Sequence, residues 1–383
     1  MSLAAVVVFV LATAFGLLLT RLGRSAAGRV GMLDAPDGRL KTHPRPIPAT
    51  GGLALLAAVP AALATAAWLV PEVAETFAGR ADRVWAVAVA AVLLAAVGIL
   101  DDLRTLRARH KLLGQLLAAG VLIGGGDYLI REVCAFGLAV PLGPFAVPVT
   151  LVGFVFAVNA FNLLDGMDGM LAVVGGTALL GLAATAAVNG SAAAVLVAAA
   201  TVGGLVGFLR YNLSPATVYL GNSGSMIVGM AVAVLALDAA PAGTGFAVVP
   251  PLALLVLPVL DTTAAVARRK LTGRPLARGD RGHLHHVLRR HGFGVPQVLL
   301  LVGGCGAAAA AGAVLSADWK NDGVAVGAAA AVAALLVASG LFGATEVRLL
   351  GTRLKALVRP LAGFARRDAA AFGAAVSARG PTP

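Results

Sequence analysis

Long apolar runs separated by short polar segments organise the chain. They cover roughly residues 2–20, 50–71, 84–100, 112–130, 146–164, 169–188, 190–209, 223–241, 246–266, 296–316 and 323–344. A bilayer core is crossed by a helix of about 20 apolar residues, so each run predicts one spanning helix. Within a run the apolar residues are continuous rather than alternating, which excludes a membrane β-barrel; only helices otherwise satisfy their own backbone inside lipid. The pattern therefore predicts an all-α, polytopic membrane helical bundle of about 11 transmembrane helices. No basic residue precedes the first run and no small-residue cleavage site follows it, so it reads as a span and not as a removed signal peptide. No internal repeat is evident.

Composition agrees with the pattern. Of 383 residues, 59% are hydrophobic and 13% charged, against roughly 45–50% and about 25% in soluble domains. A soluble enzyme, a disordered chain and a nucleic-acid binder are excluded, despite a net charge of +12. With 48 glycines and only 5% aromatics, helix packing must rely on small residues. Cys134 and Cys305 lie in separate apolar contexts and make no disulfide framework.

The basic residues orient the bundle. With the N-terminus outside and the C-terminus in the cytoplasm, 26 of the 30 lysines and arginines lie inside, and only Arg80, Arg83, Arg131 and Lys320 lie outside. This is the positive-inside asymmetry. Residues 1–344 then form a single membrane domain with cytoplasmic loops, and 345–383 a basic cytoplasmic tail able to touch anionic lipid.

Three clusters of acidic and amide residues lie on the inside face, each abutting the end of an apolar run. Asp101-Asp102 ends the third run, followed by Arg104, Arg107, Arg109 and Lys111. Adjacent carboxylates repel unless a cation lies between them or one is protonated, and an oxygen-only donor set suits Mg²⁺; a solvated loop pair is the alternative. Asn159, Asn162, Asp165 and Asp168 recur every three residues, so successive members lie near one helical face. Gly166 and Gly169 among them allow a turn and a close ligand approach; a hydrogen-bonded turn between two spans is the alternative here. Tyr211-Asn212 and then Tyr219-Leu-Gly-Asn222-Ser-Gly-Ser225 lead into the eighth run, where glycines before a helix expose amides that could cradle phosphate or simply cap the helix. A proline-rich loop runs from Asp34 through Arg39, Lys41, His43 and Arg45 to Gly51-Gly52. The longest inside loop carries Arg278-Gly-Asp-Arg281-Gly-His283-Leu-His285-His286, where phosphate contact is favoured over zinc because no cysteine accompanies the histidines.

Taken together these stretches resemble the polyprenyl-phosphate N-acetylhexosamine-1-phosphate transferases, relatives of the phospho-N-acetylmuramoyl-pentapeptide transferase. The resemblance runs from Asp34 to about His291 and rests on Pro46-Ile-Pro-Ala-Thr-Gly-Gly52, Asp101-Asp102 to Lys111-Leu-Leu-Gly-Gln115, Asn162-Leu-Leu-Asp-Gly-Met-Asp-Gly169 and His283-Leu-His-His286. The last form is similar to the branch that uses UDP-N-acetylglucosamine. The resemblance implies transfer of a sugar-1-phosphate from a UDP-sugar to a polyprenyl phosphate, with release of UMP. It implies Mg²⁺, or Mn²⁺ in its place, as cofactor, and a multi-pass protein of the bacterial cytoplasmic membrane whose active site faces the cytoplasm. Its partners would be the UDP-sugar, the polyprenyl phosphate, membrane lipids and a second copy of the chain, with no nucleic acid.

By position, the catalytic set would be Asp101, Asp102, Lys111, Asp168, His283, His285 and His286. Arg45, Asn162, Asp165, Asn212, Tyr219 and Arg281 would bind substrate, and Asp101, Asp102 and Asn222 would hold the metal. Asp261 belongs to the same branch's pattern without an assigned role. One departure stands out: where the family reads Gly-Asp, this chain reads Gly221-Asn222. An amide can ligate Mg²⁺ but brings no charge, so metal affinity should fall or another carboxylate should compensate. A lipid-linked sugar transporter is the competing reading, but it would place ionisable residues near the bilayer midplane, and most runs here carry none.

Overall fold

The structure, a computed structural model, describes residues 2–36, 45–240, 245–273 and 282–352. The apolar runs become helices α1 (Leu3–Val30), α2 (Gly51–Leu69), α3 (Pro71–Phe77), α4 (Ala81–Arg104), α5 (Ala108–Gly126), α6 (Ala146–Leu164) and α7 (Met170–Val188). The series continues with α8 (Ala192–Asn212), α9 (Gly221–Asp238), α10 (Val249–Leu254), α11 (Val256–Leu271), α12 (Leu284–Arg290), α13 (Val295–Trp319) and α14 (Asp322–Ala338). Among the described residues, eight helical segments are long and apolar enough to cross a membrane. The protein is a polytopic helical bundle.

Two runs depart from the expected pattern. Residues 246–266 do not form one helix: the chain breaks at Leu255 into α10 and α11, where Pro250, Pro251 and Pro258 remove backbone donors. The first run continues well past residue 20, because Arg21 and Arg24 remain in helical register until Gly31 closes α1 in the left-handed conformation. The bundle is also not wholly α. A hairpin of β1 (Leu33–Asp34) and β2 (Ile47–Pro48) follows α1, and β3 (Glu132–Ala135) pairs antiparallel with β4 (Leu138–Pro141) and parallel with β5 (Phe246–Ala247). Such short strands leave no periodic mark in an apolar sequence.

Burial grades from the centre outward. In the apolar windows of α7, α8 and α9, 61%, 67% and 72% of residues are buried, against 33% in α1 and α2 and 39% in α4 and α13. The outer helices turn large side chains outward, as Trp68, Trp85 and Leu300 do at 83%, 70% and 76% exposure, a pattern suited to lipid. Small residues bring the helices together. A Cβ on Gly16 of α1 would lie 2.6 Å from the Gly204 carbonyl oxygen of α8, and one on Gly207 would strike the Thr13 carbonyl. Lipid tails are as apolar as the helices, so such backbone contact supplies association energy that the hydrophobic effect does not.

The helix ends form two polar rims. At one, Arg83 of α4 pairs with Asp238 of α9 at 2.9 Å, and the Tyr128 hydroxyl donates to the other oxygen of Asp238 at 3.0 Å. The opposite rim gathers the C-terminal ends of α4, α6, α8 and α11 and the N-terminal ends of α2, α5, α7, α9 and α13. It carries the polar clusters. Forcing a large side chain into the α1–α8 crossing should cost about 1–3 kcal/mol. Gly207→Leu is expected to lower the melting temperature in detergent, whereas Gly28→Ala, which meets nothing within 4 Å, should leave it unchanged; equal melting curves would contradict this packing.

Candidate active site

Two adjacent carboxylates end α4 and face different helices. Asp101 forms a 2.5 Å ion pair with Lys111 of α5 and accepts the Leu106 amide at 2.8 Å. Asp102 reaches across to the start of α9. It accepts the Asn222 backbone amide at 3.1 and 3.3 Å and the Asn222 side-chain Nδ2 at 2.6 Å. A negative charge at a helix N-terminus is favourable, and Gly221 makes the approach possible. It has φ +73°, and a Cβ there would lie 2.7 Å from the Asp102 carboxylate. The amides expected as an open phosphate cradle are thus already claimed in part by Asp102.

The polar end of α6 does not keep its three-residue register. The helix stops at Leu164, and Gly169 turns the chain at φ +75°, so only Asn159 and Asn162 remain helical. Even these diverge. Asn159 exchanges hydrogen bonds with Gln115 of α5 at 2.7 and 3.3 Å, while Asn162 donates to Asn222 Oδ1 and Ser225 Oγ, both at 2.7 Å. Asp168 accepts the Ala216 amide at 3.0 Å. Asp165 is different: half-buried, it receives no hydrogen bond among the described residues, and burial together with the charge of Asp102 pushes its carboxyl up to about 7.

The Asn222 amide links two helix ends: its Nδ2 donates to Asp102 and its Oδ1 accepts from Asn162. Asn212 is likewise a clasp: its Oδ1 accepts the Gly169 amide at 2.9 Å and its Nδ2 donates to the Val218 carbonyl at 2.9 Å. The proline-rich loop docks on the same segment through backbone bonds. Tyr219 N donates to Pro48 O at 2.7 Å, Gly51 N to Tyr219 O at 3.0 Å and Gly52 N to Leu220 O at 2.8 Å. Burial, then the negative charges of Asp168, Asp34 and Asp165, raise the Tyr219 hydroxyl to about 12.

The histidine segment packs against the turn that follows α6. His285 is 4% exposed, and among the described residues neither ring nitrogen has a hydrogen-bond partner. Its ring packs against Gly166, where a Cβ would collide with it, stacks with His283 at 6.3 Å and tilts over His286 at 4.1 Å. Burial, and secondarily the neighbouring histidine His286, lowers the His285 ring to about 4, so it is neutral near pH 7. His283 Nδ1 lies 2.8 Å from Asp261 of α11.

Sequence-distant segments therefore meet at one rim: Asp101, Asp102 and Lys111, then Asn162, Asp165 and Asp168, then Asn212, Tyr219 and Asn222, then the histidines. Arg281, and with it Arg39, Lys41 and His43, lies outside the described residues. Asp34 and the pairing of Asp261 were not foreseen from sequence; the first is a lone aspartate before a proline loop, and the second sits in an apolar run where a carboxylate needs a partner. Among the described residues, no group of three or more His, Cys, Asp or Glu is arranged to hold a metal ion. An apolar cavity of about 200 Å³ between α5, α6, α9 and α10 lies toward the other end of the helices and includes none of these site residues.

Known proteins resemble this chain along most of its length. Residues 84–240 match the model of "Glycosyl transferase family 4". A Bacillus subtilis protein named "Probable undecaprenyl-phosphate N-acetylglucosaminyl 1-phosphate transferase" is 32% identical over 304 residues, covering 78% of this chain and 80% of that protein. The decaprenyl-phosphate N-acetylglucosaminephosphotransferase of Mycobacterium tuberculosis is 31% identical, covering 73% of this chain and 74% of its own length. An undecaprenyl-phosphate alpha-N-acetylglucosaminyl 1-phosphate transferase of Yersinia pestis is 29% identical, covering 75% and 78%. With a relative 32% identical across 78% of this chain, the chain belongs to the family of membrane polyprenyl-phosphate N-acetylhexosamine-1-phosphate transferases.

Proposed function

We propose that the protein moves N-acetylglucosamine-1-phosphate, or a related N-acetylhexosamine-1-phosphate, from a UDP-sugar to a polyprenyl phosphate such as undecaprenyl or decaprenyl phosphate. UMP is released, and the lipid product starts a cell-wall or surface polysaccharide. One observation supports this reading: Asp102 and Asp165 lie within electrostatic reach of one another, and Gly166, next to Asp165, packs against the His285 ring. An oxygen of the lipid phosphate attacks the β-phosphorus of the donor, the bond from that phosphorus to the bridging oxygen breaks, and UMP leaves with the electron pair. Phosphoryl transfer of this kind is mostly positioning and charge neutralisation.

The chain's own groups suit that task. Asp101 holds the Lys111 ammonium at the rim, where it presents positive charge to a phosphate. His285, neutral and without a partner, offers a hydrogen bond beside Asp165. The charge of Asp102 raises the carboxyl of Asp165, and such mutual repulsion suits a divalent cation between the two. Two carboxylates and donor phosphate oxygens form a common Mg²⁺ environment; Mg²⁺, or Mn²⁺ in its place, would be held by Asp102 and Asp165 and would neutralise the diphosphate. Arg45, Asn162, Tyr219 and the loop around Arg281 would face the nucleotide, while Asp168 and Asn212 shape the loop that does so.

In the same reading the protein sits in the bacterial cytoplasmic membrane with the site on the cytoplasmic face. Eleven spans result when α5, the broken α10–α11 pair and α14 join the eight long helices, with the N-terminus outside. Residues 1–344 form the catalytic domain and 345–383 a cytoplasmic tail, of which 353–383 lie outside the described residues. A homodimer is proposed as the assembled form.

Three experiments test this reading. Purified protein with undecaprenyl phosphate and a panel of radiolabelled UDP-sugars should release UMP fastest from UDP-N-acetylglucosamine, and Asp102→Asn and Asp165→Asn should each lower kcat by about 10²-fold or more. No UMP from any N-acetylhexosamine donor would overturn the assignment. Asn222→Asp should bind Mn²⁺ more tightly by electron paramagnetic resonance and melt lower when divalent ions are chelated, because it sets two carboxylates face to face; unchanged affinity would remove Asn222 from the cation's surroundings. In a background lacking Cys134 and Cys305, a membrane-impermeant maleimide applied to intact cells should label Leu138→Cys and spare His110→Cys; the reverse pattern would invert the topology.

A further inference from the structure

Asp261 is a carboxylate in an apolar stretch, 1% exposed, and its two oxygens serve one short segment. Oδ2 lies 2.8 Å from His283 Nδ1, and Oδ1 accepts the Leu284 backbone amide at 2.7 Å. Leu284 is the first residue of α12, and His283 is its cap. One side chain on α11 therefore sets both the ring of His283 and the start of the helix that follows it.

We propose that Asp261 is the positioning residue of the histidine segment, acting through His283 to aim it, and with it His285, at the donor diphosphate. This inference rests on the reading given under Proposed function. A carboxylate only accepts hydrogen bonds, so it selects the His283 form with a proton on Nδ1 and leaves Nε2 for other contacts. Any contact His283 makes with substrate then goes through Nε2. A carboxylate–imidazole pair of this kind orients the ring and stabilises its protonated form without itself taking the proton. The cap adds a second constraint. Because α12 begins where Asp261 holds it, the His285 ring two residues on stays stacked with His283 and pressed against Gly166, next to Asp165.

Asp261→Asn separates the two duties. Its Oδ1 can still accept the Leu284 amide, but its amide nitrogen donates toward His283 Nδ1 and forces the opposite tautomer. The expected result is a kcat about 10²-fold lower, with KM for the polyprenyl phosphate changed by about twofold or less and an unchanged melting temperature. Asp261→Asn/His283→Gln should be no slower than His283→Gln alone, since residues acting as one unit are not additive. ¹⁵N-histidine spectra, with the His283 signal located by its loss in His283→Gln, should show Nδ1 protonated in the wild type and Nε2 protonated in Asp261→Asn. Wild-type activity in Asp261→Asn, multiplying defects in the double variant, or an unchanged tautomer would each overturn the proposal. A wild type that releases no UMP would instead sink the proposed function, and the tautomer measurement, which needs no turnover, would still decide whether Asp261 governs His283.

Discussion

A carboxylate at the end of one helix closing the start of another is the constraint on which the rest of this structure depends. Asp102 of α4 meets the Asn222 backbone amide and side chain at the beginning of α9. For that contact to form, α4 and α9 must approach at backbone distance. Gly98 makes this possible, since a Cβ there would strike the Ser223 backbone. The proline-rich loop must also lie beside the same turn, and Gly52 allows it, because a Cβ would strike the Gly224 amide. Glycines at these two junctions thus draw α2, α4 and α9 into contact at the rim where the polar clusters are.

The division of labour follows from the solvent. Inside lipid, helices pack through small residues and expose large apolar ones, and unpaired polar groups are costly. The chemistry therefore sits where helices end, and most of its polar groups are paired with one another. Asp101 with Lys111, Asn159 with Gln115, Asn162 with Asn222 and Asp261 with His283 form a scaffold of paired groups. Asp165 receives no hydrogen bond among the described residues, and His285, whose ring packs on the neighbouring Gly166, has no partner there on either ring nitrogen. Groups left unpaired in an otherwise satisfied network are the natural contacts for a ligand.

Much of this was legible in the sequence. The helices are visible because a spanning run needs length more than exact periodicity, and the polar clusters stand out because they interrupt apolar sequence. The break at Leu255 was missed although Pro250, Pro251 and Pro258 surround it. The small strands were missed because none exceeds four residues. Pairings were not legible at all. Asp102 and Asn222 are 120 residues apart, and nothing in either segment says that Asn222 would donate to Asp102. The three-residue spacing from Asn159 to Asp168 misled for a related reason: the helix ends at Leu164, so the last two members leave its face.

The central claim is that the rim carboxylates and histidines grip one nucleotide-sugar and one cation together. An anomalous difference map from crystals of the protein with UDP-N-acetylglucosamine and Mn²⁺ tests it most directly. The account predicts a single Mn²⁺ peak between Asp102 and Asp165, with the donor diphosphate reaching from it toward Gly166 and His285. Manganese bound elsewhere, or a nucleotide lodged away from those three side chains, would contradict it.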